Sequence, residues 1–548
     1  MKKTKLYFII LILLLALFPI LSENTYAQNN FKNNIERRLS LFQEYKLHNL
    51  KIKPPYFIDE LINVYEKNKF QPFWFENERL NNSAFQLIEV IKRIEYEGLD
   101  PSLYRYDYLA QFFDKNILNA NERAVVDILL TNSYFLIASH FSDGLLDSET
   151  LSRDWMGIKN EVDLYSFLNE AVTENKVIDT LYSLLPKCEN YIQLRNKLKE
   201  YKAIKNEGGF VPYTSNRMIE IGMQGQDVLN LKKRLQQSGD FNGDLNEDFG
   251  PMLKDAVINF QKRHGLKTDG IVGTETKQAL NIGIDEKVEK IIINMERQRW
   301  LPQQLGNPYI FVNIAAYQLK VVENGEDLFD MKVIVGQRQR STPVFSDKID
   351  YIVLNPSWTV PISIAVKDKL PLIKKDINYL PENNYKVLKP GKDGLVEVDY
   401  KTIDWQSLNK DNFNYYLRQA PGPNNALGQI KFMFPNKYSV YLHDTPSKEL
   451  FSEEKRSFSS GCIRLEEPFK LAEYILKKND KWDKNSFEKE LAQSKEKIIH
   501  LSNRLPVHIV YMTAWTDNNY QIHFRNDIYY RDQKLIDAYY QKREVKND

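Results

Sequence analysis

"KYSVYLHDTP" (residues 437–446) alternates apolar and polar side chains as a half-buried strand does. Val440 and Leu442 fall on one side and face a core; Ser439, Tyr441 and His443 fall on the other and face a cleft. Nineteen positions after the histidine, "RSFSSGCIRLEEP" (456–468) sets Cys462, one of only two cysteines among 548 residues, in a serine-glycine turn with Arg464 two places on. Outward from this pair the period remains that of strands. "YIFVNIAAYQLKVVENGEDLFDMKVIVG" carries an Asn-Gly hairpin signal at 324–325, and "IDYIVLNPSWTVP" and "VHIVYMTAWTD" read as further strands. One helix, "PFKLAEYILKK", follows the cysteine turn. From Tyr309 onward the chain is therefore β-rich. Residues 362–427 interrupt it with excess lysine, asparagine, proline and glycine and no sustained apolar period, as a surface insertion would.

Cysteine and histidine in reach of each other suggest nucleophilic catalysis. A thiol attacks carbonyls as thiolate, and an ordinary pKa of about 8.5 leaves little of that form at neutral pH. A histidine can take the proton and later return it to a leaving amine. His443 needs something to orient its ring, and the backbone carbonyl of Asp444 can accept its second N–H. Gly461 lets the chain turn sharply, so that the Gly461 and Cys462 N–H groups can point at an oxyanion, with the Tyr441 phenol as a further donor. Cys188, by contrast, lies in "LLPKCENYIQLRNKLKEY" beside a helical apolar pattern and reads as a small buried hydrophobe.

The rest of the chain is helical. "SAFQLIEVIKRIEYEGLD" places Phe85, Ile88, Ile91 and Ile94 at three-residue steps, and "NERAVVDILLTNSYFLIASHFSDGLLD" ends in a helix-stopping turn, which makes residues 30–205 a helical domain. The "QPFWF" cluster at 71–75 reads as core. Residues 217–283 form a compact three-helix unit: one helix stops at Gly239, a second opens at Pro251 and closes at Gly265, and a third is capped by Thr274.

"MKKTKLYFIILILLLALFPILSENTYA" has the lysines, apolar run and small-residue exit of a secretory signal over residues 1–27, with a retained membrane anchor as the alternative. Without those residues, which hold three lysines and Glu23, basic and acidic side chains balance, so no nucleic acid or acidic surface is implied as partner. The seven histidines, at 48, 140, 264, 443, 500, 508 and 523, make no metal-ligand spacing, and no phosphate-cradling glycine loop occurs, so neither metal nor cofactor is expected.

Two sets of motifs carry a resemblance. "G-x-x-G-x-D-V-x-x-L-x-x-x-L" and "A-V-x-x-F-Q-x-x-H-G-L-x-x-D-G-I-V-G-x-x-T" resemble the peptidoglycan-binding domain of cell-wall enzymes. "Y-L-H-D-T-P" followed by "S-S-G-C-I-R-L" resembles the signature of the L,D-transpeptidases, with Ser460 where many members carry a second histidine, a variant of the larger periplasmic branch. The resemblance implies a multidomain α+β protein: a helical scaffold, an inserted peptidoglycan-binding domain, a scaffold return helix over 284–308, and a β-sandwich catalytic domain over 309–548 with 362–427 as a capping lobe. It implies a thioester on Cys462, release of D-alanine, and cross-links between third stem residues, with His443 as acid and base and with Tyr441, Gly461 and Cys462 holding the oxyanion. An L,D-carboxypeptidase or a hydrolase detaching wall-linked groups would use the same residues, and a non-catalytic wall-binding scaffold is the alternative of another class. Ser460 would shape the turn. Arg464 would brace it or meet a substrate carboxylate, with bracing favoured. Trp358 would line the donor groove or pack, and Ser439 counts among the substrate contacts. Partners would be donor and acceptor tetrapeptide stems, glycan strands and other cell-wall synthesis enzymes. The place would be the periplasm or cell envelope, soluble or anchored to the inner membrane, and carbapenems would acylate Cys462.

Overall fold

The computed structural model describes residues 31–43, 57–113, 115, 118–148, 163–392, 394–479 and 482–544. The signal or anchor expected over 1–27 lies outside them, as does His48.

The helical domain is built around Ala120–Asp143, buried on nearly every side. Asn119 and Glu122 close a capping box at its start, satisfying two backbone donors, and Gly144 at φ +87° ends it. This helix is long and apolar enough to cross a membrane, but 83% of its apolar window is packed inside the protein, which marks it as a core helix. Asp127 projects from it under the "QPFWF" segment. Its carboxylate accepts from Trp74 N at 2.9 Å, Phe73 N at 3.2 Å and the Tyr65 hydroxyl at 2.5 Å, and burial pushes its pKa up to about 6. Phe73, Trp74 and Phe75 are core, and the short hairpin of β1 (Phe75–Glu76) and β2 (Arg79–Leu80) grows out of them. Asp127→Ala would leave two amides without an acceptor and the Tyr65 phenol with Thr131 alone, and should cost the scaffold roughly 3 kcal/mol, read as a lowered unfolding midpoint in denaturant.

The helix Asn82–Arg93 departs from the three-residue stripe. Ala84, Leu87, Ile88 and Ile91 face the core, and Phe85 is 45% exposed, its ring edge against Phe113. Steps of three alone drift around a helix of 3.6 residues per turn, so alternating steps of three and four keep the buried face straight.

Residues 217–283 form three helices, Gln226–Gln237, Pro251–His264 and Thr274–Leu280, around Val228, Leu231, Leu253, Val257 and Phe260. Thr274 is the first helical residue and not the cap; Gly273 holds that position and no side chain caps the helix. The following helix, Ile284–Arg299, returns to the scaffold. Glu296 accepts from Leu146 N at 2.6 Å, and the Arg299 guanidinium donates to the Tyr191 hydroxyl at 2.7 Å.

The β domain contains β3 (Tyr309–Asn313), β4 (Gln318–Glu323), β5 (Glu326–Gly336) and β6 (Phe345–Leu354), then β7 (Trp358–Thr359), β8 (Tyr385–Gly391), β9 (Gly394–Val398) and β10 (Tyr416–Gln419). After these come β11 (Ile430–Met433), β12 (Leu442–His443), β13 (Ser457–Ser459), β14 (Ile463–Leu465) and β15 (Lys497–Val510). The large sheet runs β13-β5-β14-β12-β11-β6-β15-β3-β4, and β4 pairs back onto β5, so the sandwich is one sheet closed on itself. Closure leaves no open edge apart from short β13.

Strands β7 to β10 make a separate four-stranded sheet, order β7-β10-β8-β9, inserted between the adjacent strands β6 and β11. The insertion is more than the surface loop its composition suggests: Val360, Leu370, Ile373, Leu380, Trp405 and Leu417 form a core of their own. These residues are scattered along the chain with no local period and meet only through the sheet. The tail adds a hairpin, β16 (Ala514–Thr516) and β17 (Ile522–Phe524), and a helix at Asp532–Glu544.

Candidate active site

Strands β12 and β14 run parallel, with His443 opposite Arg464 and Leu442 opposite Ile463. Parallel neighbours cannot be joined by a tight turn and need a crossover. The nineteen-residue spacing between His443 and Cys462 is that crossover, and it carries the 3-10 turn Lys448–Ser452 and β13. Leu442, Ile463 and Leu465 enter the core, while His443, Arg464 and Lys431 share the other face, Lys431 lying opposite His443 across the antiparallel β11–β12 pair.

His443 is buried, and its Nδ1 lies 2.5 Å from the Asp444 carbonyl oxygen. That bond puts the ring's proton on Nδ1 and leaves Nε2 as a lone-pair acceptor with no hydrogen bond among the described residues. The Asp444 carboxylate is turned elsewhere, 2.7 Å from Lys448 Nζ and 2.9 Å from Gln429 N. At Gly428, with φ +59°, a Cβ would overlap this carboxylate, so only glycine fits there.

Cys462 is partly buried, and both cysteines are free. Its Sγ is 3.9 Å from the Ser439 carbonyl oxygen, and the nearby Tyr441 backbone N–H and phenol draw the thiol's pKa down. The Tyr441 ring stands edge-on to His443, centroids 5.6 Å apart. Burial pushes the thiol's pKa up against the pull of Tyr441, Lys431 and Arg464. Burial, then the Arg464 charge, hold His443 down at about 3. Both shifts oppose a thiolate–imidazolium pair before substrate arrives. Burial thus favours a neutral resting pair, in which proton transfer accompanies the attack. In a Cys188→Ser background, iodoacetamide alkylation of Cys462 should therefore climb with pH above about 8.5 without an acid plateau near neutrality. A plateau between about pH 5 and 7 would reveal a preformed ion pair.

The turn before the sulfur differs from expectation in one donor. Gly461 adopts φ +120°, a conformation that favours glycine, but its N–H donates to Ser459 Oγ at 3.1 Å and does not face the cleft. Ser459 Oγ in turn donates to the Cys462 carbonyl at 2.5 Å. The Gly461 carbonyl accepts from Thr342 Oγ1 at 2.8 Å, and that oxygen accepts from Gly336 N at 2.9 Å. The donors left for an oxyanion are the Cys462 N–H and the Tyr441 phenol. Ser439 sits at φ +55° outside the strand, exposed, so alternation fails there and its nearest approach to the sulfur is through its carbonyl. Ser460 accepts from Arg340 at 2.8 Å, and the same guanidinium holds Asp368 of the inserted lobe at 2.6 and 2.9 Å. Trp358 is half-buried and packed against the lobe core, close enough to the Tyr441 phenol to draw its pKa down. Arg464 is half-buried with an unpartnered Nε.

Cys188 is not a core residue. It occupies the N-cap of the helix Glu189–Asn206, exposed overall, with its thiol donating to Gln298 Oε1 at 3.2 Å. The residues that sequence reading passed over are Lys431, Ser459, Arg340 and Thr342. "QIKFMF" does alternate, which sets Lys431 on the polar face, but its register opposite His443 is a property of the sheet.

Fold and site together define a closed β domain that presents a cysteine, a tyrosine and a histidine on one face beside an inserted lobe. Residues 307–488 match the L,D-transpeptidase catalytic domain, 59–198 the scaffold domain, and 224–280 the family described as "Putative peptidoglycan binding domain". The chain thus carries an enzyme domain of the L,D-transpeptidase family together with a scaffold domain and a domain of the peptidoglycan-binding family. It is 38% identical over 247 residues to a protein of Haemophilus influenzae named "Putative L,D-transpeptidase", spanning 45% of this chain and 49% of that one. It is 46% identical over 67 residues to the spore cortex-lytic enzyme of Bacillus subtilis, 12% of this chain and 22% of that one. An L,D-transpeptidase crystal structure from Xylanimonas cellulosilytica overlaps 54% of this chain and 99% of its own, at 15% identity and a TM-score of 0.18, too slight to bear on the fold.

Proposed function

We propose that this protein is a peptidoglycan L,D-transpeptidase that joins third stem residues to each other. The observation that carries the reading is the gathering of Cys462, Tyr441 and His443 at the paired strands β12 and β14, with the imidazole fixed by the Asp444 carbonyl and its Nε2 open. Donor tetrapeptide binds with the carbonyl of its third residue over the sulfur. The thiol turns from the Ser439 carbonyl, a side-chain rotation, and gives its proton to His443 Nε2 as sulfur bonds to carbon. The Cys462 N–H and the Tyr441 phenol hold the oxyanion. His443 then protonates the leaving nitrogen, the C–N bond breaks, and D-alanine departs from a thioester. An amine of a neighbouring stem loses its proton to the same Nε2 and resolves the thioester, restoring the thiol. The domain at 217–283 holds glycan strands, and residues 1–27 direct the chain to the periplasm or cell envelope, as a cleaved signal or an anchor. Other cell-wall synthesis enzymes are proposed as its neighbours there, and carbapenems as acylating agents of Cys462.

Incubation with disaccharide tetrapeptide and mass analysis tests this. Cross-linked dimers with free D-alanine support it. Tripeptides alone make the protein an L,D-carboxypeptidase, and an unchanged substrate makes it a wall-binding scaffold.

A further inference from the structure

The row across the outer face of the sheet runs Lys431, His443, Arg464 on β11, β12 and β14. It contains two cations around an imidazole and no acid. Lys431 is half-buried, its ammonium forms neither an ion pair nor a hydrogen bond among the described residues, and the negative groups that act on it are the Cys462 sulfur when ionised and Glu496. The Lys431 ammonium rests 4.0 Å from the centroid of the Tyr441 ring, the ring whose phenol draws the thiol's pKa down. Glu496, which acts on Lys431 from a distance, is held by the Ser357 backbone N at 2.6 Å and its hydroxyl at 2.7 Å. A desolvated cation without a counter-ion is costly to keep in a cleft unless a ligand supplies the negative charge. Its position indicates which charge. Directly opposed residues on antiparallel strands have Cα atoms about 5 Å apart, so the Lys431 side chain rises alongside the imidazole that protonates the leaving nitrogen. When that nitrogen belongs to the last residue of a peptide, a carboxylate is attached one carbon away.

We propose that Lys431 is the carboxylate anchor of the donor site, binding the free α-carboxylate of the residue that leaves. The proposal rests on the transpeptidase reading and names the residue that holds the free end of the donor stem. The same contact places the bond to be cut over Cys462, because the terminal carboxylate fixes the register of the stem. Arg464, on the far flank of His443, is left to the carbonyl side and the turn.

The test compares disaccharide tetrapeptide ending in a free carboxylate with the same compound amidated at its terminal D-alanine, on the full-length parent, Lys431→Met and Lys431→Arg. The parent should favour the free acid by about 10- to 100-fold in kcat/KM, mostly through KM, the scale of a lost charge-assisted contact. Lys431→Met should bring the ratio close to one while still turning over the amide, and Lys431→Arg should keep most of the preference. An unfolding midpoint in denaturant and a far-UV circular dichroism spectrum matching the parent's show that the variants retain the fold. A parent indifferent to amidation, or a Lys431→Met variant with its preference intact, overturns the anchor and leaves the transpeptidase reading standing. Absence of turnover of either compound by the parent overturns both.

Discussion

Cys462→Ala should abolish D-alanine release and dimer formation together, a loss on the order of 10^4-fold or more, as removal of a covalent nucleophile does in acyl-transfer enzymes. The substitution removes one atom from a turn held by other groups. Ser459 bonds to both flanks of the residue, and Thr342 holds the Gly461 carbonyl, so the variant should fold and unfold as the parent does. Retention of wall binding through residues 217–283 alongside lost chemistry would separate the two functions. D-alanine release persisting in this variant would mean that the sulfur is not the nucleophile.

His443→Gln should cost about 10^2- to 10^4-fold in acylation, the usual contribution of a positioned base. The neutral resting pair adds a pH signature. With the thiol raised by burial and no base at hand, acylation by the variant should recover as pH rises and hydroxide ionises the sulfur, while the parent near neutrality depends on it far less. Stability should move as well, and its sign follows from linkage. The folded chain keeps His443 neutral down to about 3, whereas the unfolded chain protonates it near 6.5, so acidification through that interval favours the unfolded state. The variant should lose less stability than the parent between about pH 6.5 and 3, measured by denaturant titration at each pH. Equal losses would mean that His443 titrates normally in the fold.

What the sequence makes legible follows the range of the interactions involved. Tyr441, His443 and Cys462 were legible because alternation puts two of them on one face and a rare residue type marks the third; the Asp444 carbonyl was legible because it is the next residue. The Gly461 N–H was misjudged because a serine two residues back takes it, a matter of turn geometry that composition does not encode. Lys431 stayed hidden for the opposite reason, since nothing nearby in sequence distinguishes it from an ordinary strand lysine. Only the pairing of β11 with β12 puts it beside the imidazole. The same distinction applies to the fold. Local periods reveal the helices and most strands, whereas the core of the inserted lobe joins Val360 to Leu417 across a stretch without a period. Phe85 and Thr274 are one-residue errors of the local kind, one on a helix face and one at a helix start, where neighbouring positions compete on small energies.

The most direct measurement is the intact mass of the full-length protein quenched during turnover of disaccharide tetrapeptide. A thioester pathway through Cys462 requires an adduct equal to the donor less D-alanine, mapped to Cys462, discharged by hydroxylamine and consumed when an acceptor amine is added. D-alanine accumulating while the sulfur remains unmodified under every quench, or an acyl group mapped to any other residue, would contradict it.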